Sequence, residues 1–215
     1  IGASGDVQNA YNAGSTIGSY LAALGFNVDF APVADVLTNP DNQVIGQRSF
    51  GSDAQTVAGM VTSELQGLSA AGVYGMVKHF PGHGGTSGDS HDGAVSTDKT
   101  LEELMAEELV PFQSAIDGGV NFVMVGHISA PNVTGDNAPA TLSKVLITDV
   151  LRGQMGYNGI VITDAMNMEA ITGFYNSDKA AVLAVTAGAD MILMPADYNT
   201  CLLYTSPSPR DGLLS

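Results

Sequence analysis

"GVYGMVKHF" runs from Gly72 to Phe80. Its apolar residues fill consecutive positions rather than alternating ones, as in a strand buried on both faces. Four other runs read the same way: "NVDFAPVADV" (27–36), "NFVMVGHIS" (121–129), "GIVITDAM" (159–166) and "ADMILMP" (189–195). Helical spacing fills the intervals. Asp6 to Leu24 carries small and apolar residues at helical period, and Ser52-Asp53 offers caps for a helix reaching about Ala70. Thr100 precedes a helix, acidic at its start, that should reach about Ile116, and Ser143–Gln154 and Asp178–Ala187 complete the set. Gly25, Gly72, Gly118-Gly119, Gly156 and Gly188 fall where C-terminal caps are expected. Such alternation implies parallel strands joined by helical crossovers.

The polar residues of these runs come at their ends. Asp35, Lys78-His79, His127 and Asp164 each follow an apolar stretch at a strand's C-terminal edge. Functional groups gathered there fit a (β/α) barrel, and equally an open doubly wound sheet. Five strands do not close an eight-stranded barrel, so the barrel reading is an incomplete (β/α)8 TIM-like barrel of about five βα units over residues 1–200. From Cys201 the text changes to "CLLYTSPSPRDGLLS". Its first part resembles the translation of a sequencing adapter, so residues 201–215 are expected to be a non-native tail that adds nothing to the αβ rhythm. Cys201 is the sole cysteine, so residues 1–200 hold neither a disulfide nor a thiolate metal site.

At 215 residues and 45% hydrophobic content, the chain can bury one sizeable core. A net charge of −15 with seven Lys and Arg argues against nucleic acid or an anionic membrane as partner. No run approaches the ~18 apolar residues of a membrane span. Localisation, whether cytoplasmic or secreted to the cell wall, is not readable from residues 1–215.

Three of the four histidines lie in "KHFPGHGGTSGDSHDG" (78–93), the end of the opening strand and the glycine-rich loop that follows it. Within it, Asp89 stands two residues before His91. An Asp so placed can accept the Nδ1 proton, fix the tautomer and raise the basicity of the outward nitrogen. The same tripeptide also reads as a surface turn with a solvated histidine. Asp164 offers a nucleophile, a metal ligand, or an N-cap for the residues after it. Arg48 in "GQRSFGSD" and Lys78-His79 suit the hydroxyls or carbonyl of a polar ligand, although Arg48 could simply pair with Asp53. His127 could line the same mouth or be a satisfied core histidine. Asp35 reads as structural, organising Arg48 or a neighbouring loop. His79, His83, Asp89 and His91 are metal-ligand types, but Lys78 would repel a cation and neither H-E-x-x-H nor a strand-end H-x-H is present. No metal or other cofactor is expected.

"KHFPGHGGTSGDSH" together with "VITDAMNMEAI" resembles glycoside hydrolase family 3, in its β-N-acetylglucosaminidase branch. "NVDFAPVADV", "VIGQRSFGSD" and "FVMVGHISAP" match further blocks of that family in the same order, so the resemblance spans about residues 6–196. It implies a barrel and a retaining β-N-acetylhexosaminidase. In it Asp164 is the nucleophile, His91 the acid/base, and Asp89 the residue that orients and charges His91. It implies sugar contacts for Arg48, Lys78 and His79, and a strand-end place near the sugar for His127. The implied substrate is an amino-sugar glycoside, from muropeptides of peptidoglycan turnover or from chitin oligosaccharides. The family's opening block is expected upstream of Ile1 and its last barrel segment is expected where the tail stands, which puts the activity of residues 1–215 by themselves in question. Beside this reading stand a phosphorylase using the same sugar chemistry, a metal-dependent TIM-barrel hydrolase and a non-catalytic sugar-binding relative.

Overall fold

A computed structural model describes residues 1–91 and 93–205, the last four by backbone alone. The strands are β1 (Val28–Asp29), β2 (Tyr74–Phe80), β3 (Val95–Ser96), β4 (Phe122–Val125), β5 (Ile128–Ser129) and β6 (Ile160–Thr163). The helices are α1 (Val7–Ala23), α2 (Ala54–Ala70), α3 (Leu101–Ala106), α4 (Val110–Asp117), α5 (Pro131–Thr134), α6 (Glu169–Thr172), α7 (Ser177–Ala187) and α8 (Tyr198–Thr205). A π-helical segment covers Val145–Gln154. Strands β1, β2, β4 and β6 form one parallel sheet in that order, and β3 pairs with β5. This is the expected α/β architecture, a partial (β/α) barrel. Met76, Met124 and Ile162 pack together on one face of the sheet; Val77, Val123 and Val161 face the larger core beneath the helices.

The helix starts follow from their caps. Asp6 accepts from the Gln8 N–H at 2.9 Å, Asp53 from the Thr56 N–H at 2.8 Å, and Thr100 with Glu103 forms a reciprocal capping box. Each such cap is worth ~1 kcal/mol. α1 and α2 meet backbone to backbone: a Cβ on Gly14 would stand 2.3 Å from the Glu64 carbonyl oxygen, and one on Gly67 2.2 Å from that of Tyr11.

Three elements depart from the sequence reading. The helix expected from Leu101 to Ile116 is broken at Glu107–Leu109, ahead of Pro111, whose missing N–H and crowding of the residue before it disfavour a continuous helix. The first strand shortens to Val28–Asp29 because Pro32 cannot donate to the ladder; pairing resumes where the Ala34 N–H reaches the Lys78 carbonyl at 2.6 Å. Residues 189–195 run beside β6, bonded through the Met191 N–H to the Val161 carbonyl at 3.1 Å and the Thr163 N–H to the Met191 carbonyl at 3.1 Å, but they form a single bridged pair, Met191 with Ile162, rather than a full strand. The boundary expected after residue 200 falls inside α8, where Cys201 is buried; residues 206–215 lie outside the described residues.

One buried acid sets a pH dependence. Glu64 on α2 is 8% exposed, and burial together with the nearby Asp29 carboxylate pushes its carboxyl up to about 7. The unfolded chain loses this proton near pH 4.5 while the folded one keeps it to about 7, so stability from this group is full below pH 4.5 and falls as pH rises through 7. The loss amounts to about 3 kcal/mol, at ~1.4 kcal/mol per pH unit. Glu64→Gln is expected to remove that slope, read as Tm against pH between 4.5 and 8; an unchanged slope would contradict the assignment.

Candidate active site

Register places the strand-end residues at one level. Phe80 pairs with Val125, and Val125 with Thr163, so Lys78-His79, His127 and Asp164 emerge at the same edge of the sheet. Asp35 joins them beyond the bridge between Val33 and Lys78.

Asp35 is the hub of this edge. It is fully buried, and its Oδ2 lies 2.7 Å from His79 Nδ1. Its Oδ1 accepts from the His83 N–H at 2.7 Å and the His79 N–H at 3.2 Å. Burial works to raise its pKa, but His79 and these donors outweigh it and hold the carboxyl below its ordinary range. Of the two roles open to Asp35 in the sequence, the geometry selects the neighbouring loop: Arg48 reaches instead to the Val44 carbonyl, at 3.2 Å. Nor does Arg48 pair with Asp53, which caps α2. The Lys78–His79 peptide bond is cis.

Beyond Pro81 the glycine-rich loop is fixed by further contacts. The Thr86 hydroxyl donates to the His83 carbonyl, so His83 Nδ1–H donates to Thr86 Oγ1 at 2.7 Å and Nε2 accepts from Ser90 Oγ at 3.3 Å. Burial holds the His83 pKa below its ordinary value, consistent with this neutral ring. Asn42 donates to the carbonyls of His83 and Thr86 at 2.8 and 3.0 Å. Ser90 is buried, and its carbonyl accepts from the Ala170 N–H at 3.3 Å, tying the loop to the segment after Asp164.

Either side of this anchor, Asp89 and His91 face outward. Asp89 Oδ1 accepts from the His91 N–H at 2.8 Å and lies 2.7 Å from His91 Nδ1. The backbone N–H of His91 is the leading cause that holds the Asp89 carboxyl below the usual range, aided by the imidazole. With Nδ1–H given to Asp89, Nε2 has no hydrogen-bond partner among the described residues. The His91 side chain is 62% exposed.

Asp164 is half-buried at the end of β6. Its N–H donates to the Val125 carbonyl at 2.8 Å, and its Oδ1 accepts from the Ala165 N–H at 2.7 Å. Thr163, a candidate partner for this carboxylate, instead accepts from the Leu193 N–H at 3.0 Å. Asp164 does not cap the following helix, since α6 begins only at Glu169. Lys78 lies within electrostatic reach of Asp164, Asp29, Asp35 and Arg48; burial and then Arg48 lower its pKa, while the three carboxylates oppose them. Its ammonium takes part in no hydrogen bond or ion pair among the described residues. A half-buried cation with donors to spare is a ready partner for polar oxygens.

His127 has no such freedom. It is 1% exposed; Nε2–H donates to the Ala165 carbonyl at 2.9 Å, and Nδ1 accepts from Thr141 Oγ1 at 2.8 Å. Burial keeps its pKa low. Both nitrogens are thus spent on protein, and the ring's reach to the site is through Ala165, the neighbour of Asp164. Among the described residues no group of three His, Cys, Asp or Glu side chains could hold a metal ion. Sequence reasoning missed Ser90 and Thr86 as loop anchors; a serine between Asp89 and His91 gives no sign of its burial.

A parallel sheet that presents a carboxylate at one strand end, a cation unpaired among the described residues at another and a His–Asp pair on the loop between them has the makings of a sugar-cleaving barrel. The family model for the glycosyl hydrolase family 3 N-terminal domain matches residues 1–206, and the chain belongs to that family. It is 42% identical over 193 residues to beta-hexosaminidase LpqI of Mycobacterium tuberculosis, which covers 87% of the chain and 49% of that protein. A family 3 β-N-acetylglucosaminidase from Paenibacillus superposes with a TM-score of 0.94 at 44% identity, over 100% of the chain and 41% of its own. The β-glucoside phosphorylase BglX, bound to 2FGlc, superposes with a TM-score of 0.90 at 29% identity, over 98% of the chain and 39% of its own. The chain thus spans about half the length, or less, of these relatives.

Proposed function

We propose that the chain carries the catalytic barrel of a retaining β-N-acetylhexosaminidase that releases terminal β-linked N-acetylglucosamine. The observation that carries this reading is the Asp89–His91 pair, with Nδ1 held and Nε2 free, on a loop hydrogen-bonded through Ser90 to the segment following Asp164. Its likeness to a beta-hexosaminidase and to a β-N-acetylglucosaminidase supports the substrate class.

The chemistry runs in two displacements. The Asp164 carboxylate attacks the anomeric carbon as the bond to the leaving oxygen breaks, and His91 Nε2 gives that oxygen its proton. Asp89 stabilises the imidazolium beforehand and keeps the ring oriented as it becomes neutral. A water molecule then gives its proton to His91 Nε2 while its oxygen attacks the anomeric carbon, freeing Asp164. Lys78, Arg48 and His79 hold sugar hydroxyls, and Asp35 fixes His79 in place. His127 contributes by positioning the Ala165 carbonyl.

Retention is the direct test. Proton NMR of the first-formed product should show the β anomer before mutarotation; an α product would refute the double displacement. A phosphorylase reading draws on the likeness to BglX, because a histidine left neutral after the first step does not repel phosphate as a carboxylate would. With phosphate added, a glycosyl phosphate in the phosphorus NMR spectrum would favour that reading, and free sugar alone would favour hydrolysis.

A further inference from the structure

The loop that carries His91 leaves β2 at Phe80 and enters β3 at Val95. Under its stem lies Glu108, in the break between α3 and α4, 2% exposed. Its Oε1 accepts from Thr38 Oγ1 at 3.1 Å and from the Lys99 ammonium. Lys99, just past β3, also donates to Glu107 Oε2 at 2.6 Å. The loop's entry rests on the same residue. A Cβ on Gly82 would stand 2.8 Å from Glu108 Cβ and 2.9 Å from its Cγ, and one on Gly85 would stand 3.2 Å from Oε1 and 2.6 Å from Thr38 Oγ1. Next to Thr38, Asn39 donates to the Thr86 carbonyl at 3.0 Å. One carboxylate therefore touches the loop's entry, holds its exit through Lys99 and grips the segment leading from Asp35.

The charge is costly where it stands. Glu108 Oε2 is buried without a hydrogen-bond partner among the described residues. A buried ion pair is weak support for stability compared with apolar residues of similar volume, and its better use is to fix one arrangement among several. We propose that Glu108 is a positioning residue: with Lys99 and Thr38 it locks the entry and exit of the His91 loop to one base, so that Asp89 and His91 are presented from a fixed stem. The proposal rests on the reading of His91 as acid/base.

The test compares Glu108→Gln, Lys99→Gln and Lys99→Arg with the parent and with His91→Ala. Hydrogen exchange of residues 82–91 should quicken by about tenfold or more in both Gln variants while the amides of Val123, Val125 and Ile162 keep their protection, as local opening demands. Pre-steady-state bursts on a poor leaving group should fall by about 10- to 100-fold, the scale of a misplaced catalytic group, with much smaller losses on a nitrophenolate. Lys99→Arg should keep both properties. Unchanged loop exchange, or faster exchange throughout the core with equal losses on both leaving groups, would overturn the proposal. If His91→Ala itself shows no dependence on leaving group, the acid/base reading fails while loop exchange still decides the part of Glu108. Should Glu108→Gln not fold, Lys99→Gln carries the same comparison, because Lys99 is more exposed.

Discussion

Asp164→Asn is expected to fold with the parent's Tm and to lose activity by ~10⁴-fold or more, the scale found when a nucleophile is removed from an enzyme that works through a covalent intermediate. The geometry explains why folding should survive. The Asp164 carboxylate's one hydrogen bond among the described residues is to the adjacent Ala165 N–H, which the Asn carbonyl oxygen can still accept, and its backbone bond to Val125 is untouched. It caps no helix. What changes is the charge beside Lys78 and, in the proposed mechanism, the lone pair that attacks the anomeric carbon. The same loss on substrates with good and poor leaving groups is expected, because no leaving group can restore the nucleophile. Retention of more than about a tenth of the rate would remove Asp164 from that role, since even one general acid or base contributes ~10²-fold or more.

The second large effect concerns proton delivery. Asp89→Asn and His91→Ala should slow glycosylation by about 10²–10⁴-fold where the departing oxygen needs a proton, and far less where it leaves as a nitrophenolate. The His91 N–H, aided by the imidazole, holds the Asp89 carboxyl below its ordinary range. The Asn variant keeps the turn, because its side-chain oxygen can still accept from the His91 N–H, but it no longer charges the ring. In the proposed mechanism water attack also draws on His91, so steady-state rates can conceal the first step; pre-steady-state bursts expose it. Equal losses on both kinds of leaving group would remove the dyad from proton transfer.

Much of this was legible in the sequence because it follows from local rules. Strand ends mark the sheet's functional edge, and Asp6, Asp53 and Thr100 announce their helices by capping chemistry. The Asp89–His91 pairing needs a separation of only two residues. Long-range partners could not be read in this way. Asp35 meets His79 and His83 across 44 and 48 residues, and Thr38 meets Glu108 across 70. His127 looked available at its strand end, yet Thr141 and Ala165 take both its nitrogens. The helix break ahead of Pro111 follows from the proline itself, but its consequence, a buried Glu108 under the His91 loop, depends on how the helices pack against β2. Residues 189–195 are apolar like the other strands and hydrogen-bond along β6, yet form a single bridged pair rather than a regular ladder, because ladder pairing depends on a neighbour's register rather than on hydrophobicity.

A sugar covalently attached to Asp164 is the expected intermediate of the proposed reaction. Trapping with a 2-fluoro sugar, followed by proteolysis and mass spectrometry, measures it directly. A single added glycosyl mass is expected on the peptide containing "VITDAM" (161–166), with fragmentation placing it on Asp164 and no label in Asp164→Asn. A label on any other carboxylate, or hydrolysis with retention that yields no labelled Asp164, would contradict it.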